Sequence, residues 1–315
     1  MTVRWGFIGA GYVASRAMAP AVHATPNASL FAVASRNQDR SATLEPQVVH
    51  RSYQDLINDP MVDAVYISLT NAQHKEWVLA ALNAGKHVLC EKPLAMNASE
   101  VGTMLDAATR NNRLLVEAVW TRWQPRMQRM AKIVKSGELG EVTGISSAFT
   151  FQGDLTDNYR LDPSLGGGAL LDVGVYQAHL WLMLLNEDVS FSIESVERTM
   201  GATGVDLTTR AQLQLNNSVA AQLLASFDMP AQQRIEVTGT TATMRTGEGE
   251  AFTLWKQPST LLIGESVEHF EADDAFALMV KDVSAAIETE DVALFPSASS
   301  LRAAEITDAI ARFNN

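Results

Sequence analysis

Lys92, Asp172 and Tyr176 carry the chemistry that this sequence offers most plainly. Lys92 stands in Glu91-Lys92-Pro93, directly after the apolar run His87-Val88-Leu89-Cys90. A lysine at the end of a buried strand can hydrogen-bond a substrate hydroxyl and stabilise charge developing on its oxygen. Most lysines are simply solvated loop residues, but the adjoining Pro93 makes this one a rigid position. Asp172 and Tyr176 lie in Gly166-Gly167-Gly168-Ala169-Leu170-Leu171-Asp172-Val173-Gly174-Val175-Tyr176, and His179 follows. A helix that starts after the glycines puts Asp172, Tyr176 and His179 at i, i+4 and i+7, on one face. Tyr176 can act as acid or base if Lys92 stands beside it, because a neighbouring cation lowers a phenol's pKa. Asp172 can orient a substrate hydroxyl or the lysine. The competing reading is a core aromatic with its hydroxyl satisfied; function is favoured for Tyr176 and Asp172, and a core role for His179.

These groups exchange protons, and a partner for electrons is suggested at the other end of the chain. Gly9-Ala10-Gly11-Tyr12-Val13-Ala14 follows the apolar run Trp5-Gly6-Phe7-Ile8. Gly9 permits a tight turn, Gly11 lets backbone approach phosphate, and Ala14 is small enough for helix to pack on strand. The helix N-terminus then offers free N–H groups and partial positive charge to a dinucleotide pyrophosphate. A GxGxxA match alone is weak, since a glycine turn also merely joins strand to helix. Its place at the head of a strand–helix alternation favours the cofactor.

The second strand runs into Ser35-Arg36-Asn37, with Arg40 one turn on. An NAD site usually places an acid here for the ribose 2′-hydroxyl. A guanidinium instead matches a 2′-phosphate. This favours NADP, with NAD kept open because Asp39 is near.

Such a chain has to supply an architecture for these groups. The 315 residues suffice for two domains, and 47% hydrophobic with 19% charged content is that of a globular protein. A net charge of −12 disfavours nucleic acid and anionic membranes as partners. The single cysteine, Cys90, excludes an intrachain disulfide and fits a reducing compartment, so a cytoplasmic protein is expected. No signal peptide is read at the N-terminus, and the apolar stretch 169–185 reads as a buried helix because Asp172, His179 and Gly174 interrupt it.

Short apolar runs at Val3–Ile8, Leu30–Ala34, Ala64–Ser68, His87–Cys90 and Leu114–Val119 suit buried parallel strands. Helical stretches near Gly11–Ala24, Gln54–Asn58, Ala72–Ala84 and Ser99–Asn111 separate them, which predicts a doubly wound sheet. After Trp120 the rhythm changes. A helix near Pro125–Lys135, an extended run Val142–Phe151, a polar loop and a helix over Ala169–Leu185 come first. Strands at Ser190–Arg198, Leu207–Leu215, Val219–Phe227, Arg234–Thr238 and Phe252–Trp255 follow with little helix between them, which favours an antiparallel or mixed sheet. Helices over Ala272–Glu288 and Ser297–Phe313 close the chain. The boundary is set near residue 120, giving a dinucleotide-binding domain over 1–120 and a substrate-binding and oligomerisation domain over 121–315.

The ordered set GxGxxA at Gly9–Ala14, EKP at Glu91–Pro93 and GGG-x3-D-x3-(H/Y) at Gly166–Tyr176 resembles the Gfo/Idh/MocA family of NAD(P)-dependent oxidoreductases. The stretches Val116–Trp123 and Arg160–Asp172, and tyrosine at 176, resemble most the branch of dimeric dihydrodiol dehydrogenases and NADP-dependent D-xylose dehydrogenases. The resemblance implies an α/β fold: an N-terminal Rossmann doubly wound parallel sheet and a C-terminal α/β domain with an open, mainly antiparallel sheet. It implies catalytic Lys92 and Tyr176 supported by Asp172, and a cis Lys92–Pro93 bond. The cofactor-binding set is Gly9, Gly11, Tyr12, Val13, Ser35, Arg36, Arg40, Thr70, Asn71, His74, Glu91 and Lys92. A large exposed apolar sheet face would need covering, so a homodimer or higher homo-oligomer is expected.

The resulting reading is a dehydrogenase acting with NADP on a hydroxyl of a sugar, polyol or trans-dihydrodiol. Trp120, Trp123 and Phe149 form either a stacking wall for that substrate or ordinary core. Arg122 and Arg126 either bind an acidic substrate or serve on the surface. No metal-ligand spacing is present, and hydride transfer needs no metal. The rival class is a catalytically silent NAD(P)-binding sensor or regulatory subunit, against which the retention of Lys92, Asp172 and Tyr176 together argues.

Overall fold

The computed structural model describes residues 2–249, 251–289, 291 and 297–314. The chain forms two compact units, residues 1–120 with 276–297, and residues 121–275 with 298–315.

In the first unit the elements run β1 (Val3–Ile8), α1 (Ala19–Ala24), β2 (Ala28–Ala34), α2 (Gln38–Ala42), β3 (Val48–His50), α3 (Tyr53–Asn58), β4 (Ala64–Ile67), α4 (Asn71–Asn83), β5 (His87–Cys90), α5 (Ala98–Arg110) and β6 (Leu115–Glu117). A π-helical turn, Ala14–Met18, leads into α1. The six strands pair in parallel in the order β3-β2-β1-β4-β5-β6. Every residue of β4 is buried, as a strand with helices on both faces requires. The order reverses between β1 and β4, the place where open sheets of this kind hold ligands beyond the carboxyl ends of their strands. The register brings those ends level: Ile8 pairs with Ala34 and with Ile67, Ile67 with Cys90, and Cys90 with Glu117. β3 and α2 have no counterpart in the sequence reading. β3 is three residues long and only partly buried, so it carries little apolar signal.

The helix over 275–289, expected from sequence among the second domain's closing elements, contributes residues from Phe276 onward to the first unit. Trp5 explains the attachment: it is fully buried in β1, and its indole N–H donates to Ser284 Oγ at 3.1 Å.

The second unit contains α6 (Pro125–Ser136), β7 (Val142–Gln152), α7 (Val175–Leu184), β8 (Phe191–Met200), β9 (Asp206–Leu215), β10 (Val219–Ser226), β11 (Asp228–Gly239), β12 (Thr243–Thr246), β13 (Ser259–Ile263) and β14 (Ser266–Phe270). Its closing helix is α9 (Ser297–Arg312), whereas α8 (Ala275–Thr289) belongs to the first unit from Phe276 onward. The eight strands follow the order β14-β13-β12-β11-β7-β10-β9-β8, antiparallel except for the β7–β10 pair. Two expectations are corrected. Residues 252–255 form no strand; the apolar Phe252 is instead buried by stacking on Phe149, and β12, β13 and β14 complete that end of the sheet. The open face is also not apolar. One face packs on α7 and the turn before it, whereas the other carries exposed Arg210, Gln212, Gln222, Arg234 and Arg245. Among the described residues no helix is long and apolar enough to cross a membrane.

Candidate active site

The glycine turn leaves β1 at Gly9, whose φ is +100° and whose missing Cβ would lie 2.6 Å from the Ser68 carbonyl oxygen. Only glycine fits both conditions. Gly11 is exposed, and a Cβ there would meet nothing within 4 Å, so the backbone is open to a ligand from outside. Tyr12, 76% exposed, and half-buried Val13 begin the following helix, and the Arg16 guanidinium lies 5.8 Å from the Tyr12 ring centre. This strand end, open glycine and helix start fit a dinucleotide pyrophosphate.

At the next strand end Ser35 Oγ donates to the Asn37 carbonyl at 2.6 Å, and Asn37 caps α2 by accepting from Arg40 N at 3.0 Å. The cap turns the chain so that Arg36 and Arg40 both stand exposed just beyond β2. Neither makes an ion pair among the described residues.

Beyond β4, Thr70 precedes α4 and donates to Gln73 Oε1 at 3.1 Å, while Asn71 is buried. His74 is fully buried, with Nδ1 2.9 Å from the Pro93 carbonyl and Nε2 3.2 Å from that of Leu69. Burial lowers its pKa despite both carbonyls. The neutral ring has a single N–H, which the shorter contact assigns to Pro93. His74 thus holds the loop that carries Lys92 and offers no surface to a cofactor.

That loop is clamped at three points. Glu91 Oε1 accepts from Tyr66 Oη at 2.7 Å, Pro93 O faces His74, and Leu94 N donates to Glu117 Oε1 at 3.0 Å. The Lys92–Pro93 bond is cis. Burial raises the Glu91 pKa, against the lowering effects of Tyr66 and Lys92. Lys92 itself is half-buried, next to this carboxyl. All of these residues lie at the carboxyl edge of the parallel sheet. Trp120 belongs to the same unit but is 5% exposed and stacks on Phe276 at 5.7 Å, which is core packing.

In the second unit the polar helix face is preceded by a loop folded back on itself. Gly167 N donates to the Asp162 carbonyl and Gly168 N to the Arg160 carbonyl, each at 2.9 Å. Gly168 has φ +116°, and a Cβ there would run into the Asp206 carboxylate. Asp206 Oδ2 accepts from Leu170 N at 2.8 Å and from Thr209 Oγ1 at 2.7 Å, so β9 caps the start of the helical segment. Burial nevertheless raises the Asp206 pKa. The first turn, Leu170–Gly174, is π-helical, and α7 continues from it.

Asp172, Tyr176 and His179 are all buried, at 4%, 8% and 2% exposure. Asp172 is paired: Arg160 Nε donates to Oδ2 at 2.7 Å and Nη2 to Oδ1 at 3.4 Å. Tyr176 joins Phe149, with ring centres 6.0 Å apart, and Phe252 at 6.1 Å; Phe149 and Phe252 stack at 5.4 Å and 4°. Phe149 is therefore brought to Tyr176. Trp123 is 5% exposed, as a core residue is. Arg126 is fully buried with Nη2 donating to the Ala251 carbonyl at 3.0 Å, and Arg122 pairs with Glu187 at 2.9 Å. Both arginines are engaged structurally. Arg160, Asp206 and Phe252 were not among the residues expected from sequence. Asp206 sits 36 positions from its partner Leu170, and no spacing rule reaches that far.

Comparison with known proteins agrees with this geometry. Residues 3–118 match the family described as "Oxidoreductase family, NAD-binding Rossmann fold", and residues 127–245 match the GFO/IDH/MocA C-terminal domain. A D-xylose 1-dehydrogenase (NADP(+)) of Haloferax volcanii is 31% identical over 97% of this chain and 95% of its own. A trans-1,2-dihydrobenzene-1,2-diol dehydrogenase of Mus musculus is 31% identical over 85% of this chain and 80% of its own. The crystal structure of a 3-ketoreductase from Actinomadura kijaniata, in complex with NADP and TDP-benzene, superposes with a TM-score of 0.89 at 29% identity, covering 98% of this chain and 97% of that one. The chain belongs to the GFO/IDH/MocA family of NAD(P)-binding oxidoreductases.

Proposed function

We propose that the chain is an NADP-linked dehydrogenase acting on a hydroxyl, or in reverse a carbonyl, of a sugar, polyol or trans-dihydrodiol. The observation that carries this reading is the clamped Lys92 at the carboxyl edge of the sheet, on the same edge as the open glycine turn. The roles follow from the chemistry of each side chain. The turn at Gly9 and Gly11 receives the pyrophosphate, and Arg36 with Arg40 holds the 2′-phosphate of NADP. When bound, the nicotinamide supplies the hydride acceptor or donor. Lys92 Nζ donates to the substrate oxygen and stabilises its developing negative charge. Tyr176 Oη takes the hydroxyl proton on oxidation and returns it on reduction. Asp172 accepts from a further substrate hydroxyl through the lone pairs that Arg160 leaves, and Phe149 with Phe252 gives the apolar wall beside Tyr176.

Within this reading fully buried His74 sets the position of Lys92 from beneath, and Glu91 stands beside Lys92 on the cofactor edge of the sheet. The name of the D-xylose dehydrogenase relative supports NADP, and that of the dihydrodiol dehydrogenase relative supports a vicinal diol as substrate. The resemblance to dimeric dihydrodiol dehydrogenases supports a homodimer, and a chain with a single cysteine suits the cytoplasm. Dimer mass by light scattering after gel filtration tests the assembly. Reduction of NADP with D-xylose and with trans-1,2-dihydrobenzene-1,2-diol, each repeated with NAD, tests the activity.

A further inference from the structure

Arg160 touches both halves of the loop–helix junction in the second unit, and so far it figures only as the partner of Asp172. Its backbone carbonyl accepts from Gly168 N, and its guanidinium reaches over the same turn to Asp172, twelve residues on. The side chain lies over the ring of its own neighbour, with Cζ 4.9 Å from the Tyr159 ring centre. The Asp172 side chain is 5% exposed and that of Arg160 28% exposed, so the pair is largely withdrawn from solvent. An ion pair in such surroundings is costly to break from one side, because the remaining charge is left buried and uncompensated. Asp172 and Tyr176 sit one turn apart on the helical segment that this pair anchors.

We propose that Arg160 is a positioning residue of the reaction: it holds Asp172 in place as a carboxylate and supplies a permanent positive charge to the helix face that carries Tyr176. The inference rests on the reading of Tyr176 as the proton-transfer group. The groups facing Tyr176 make the charge effective. Phe149 from β7 and Phe252 from the segment after β12 are uncharged and exclude water, His179 lies one turn along α7, and Asp172 lies one turn back. Burial works against charge on Arg160, but Asp172 first, and Tyr159 and Tyr176 after it, hold its pKa above the ordinary arginine value. The attraction is mutual, so the same cation favours the Tyr176 phenolate. A tyrosine that must accept a proton is helped by a cation that never deprotonates.

The test is a spectrophotometric titration of the phenolate band of the whole protein without substrate. Each curve is taken as the difference between a chain with Tyr176 and the matching Tyr176→Phe chain, in a Tyr159→Phe background because Arg160 also faces that ring. Arg160→Gln is expected to raise the Tyr176 midpoint by about one pH unit or more, and Arg160→Lys to stay within about half a unit of the parent. Equal midpoints for Arg160→Gln and the parent would overturn the proposal. If Arg160→Gln does not fold, because Asp172 is left unpaired, the comparison moves to Asp172→Asn with and without Arg160→Gln. There the double variant should titrate higher than the single one by a similar amount, and equality again overturns the inference. Because no turnover is measured, a failure of the proposed activity is read separately, in the NADP assays.

Discussion

His74 Nδ1 lies 2.9 Å from the Pro93 carbonyl oxygen, a contact between the first turn of α4 and the residue that follows Lys92. It joins two adjacent strand ends of the parallel sheet, since β4 and β5 pair up to Ile67–Cys90. His74→Ala removes the donor and leaves a buried carbonyl unsatisfied, at a cost of about 1–3 kcal/mol. The expected result is a lower unfolding free energy in urea together with a reduced kcat, while the NADP dissociation constant stays within about threefold. A variant with lower stability but unchanged kcat would show that His74 does not act through Lys92.

Arg36→Glu places an acid where the NADP 2′-phosphate is assigned. Charge-assisted hydrogen bonds of this kind contribute about 1.5–3 kcal/mol, so the ratio of kcat/KM for NADP to that for NAD should fall by at least about tenfold and invert. An unchanged ratio removes Arg36 from the cofactor site.

Phe252 was read from sequence as part of a strand, and in the structure it is an irregular segment's anchor against Phe149 and Tyr176. It is 1% exposed. Phe252→Ala should cost about 3–5 kcal/mol of stability and raise KM for the substrate more than for NADP. Denaturant unfolding and separate saturation curves check both effects.

Stability should weaken at mildly acidic pH through His87. Its pKa is pushed down to about 4, first by burial and then by Arg113. Leu114 N donates to its Nδ1 at 3.1 Å, which requires that nitrogen to be unprotonated. The unfolded chain takes up the proton near pH 6.5 and the folded chain only near 4, so this contribution is complete above about 6.5 and is lost as pH falls toward 4. The slope is up to about 1.4 kcal/mol per pH unit. Unfolding free energies measured at intervals across that window should fall more steeply for the parent than for His87→Asn.

The strand–helix rhythm of residues 3–117 was legible because buried parallel strands are continuous apolar runs, and the glycine turn follows the first of them. The Gly166–Tyr176 stretch was legible as a helix start, though not its π-helical first turn, which leaves no mark in composition. What escaped was set by distant partners. β12, β13 and β14 are short strands at one end of the sheet, and Phe252 is buried against Phe149, a partner far away in sequence. Arg126 looked available for an acidic substrate until its partner, the Ala251 carbonyl, was seen. The expected apolar sheet face failed for a related reason. The alternation Arg210, Gln212 and Gln222 across paired strands shows a polar face once the register is known.

Lys92 carries the central claim. The most direct measurement is NADP reduction, followed by the absorbance of NADPH, with a panel of aldoses, polyols and trans-dihydrodiols for the parent chain and for Lys92→Ala. The account predicts turnover by the parent on one of these classes. It predicts a loss of about 100- to 10,000-fold in kcat for Lys92→Ala, with the NADP dissociation constant nearly unchanged. Tight NADPH binding without turnover across the panel, or turnover that survives Lys92→Ala, would contradict it.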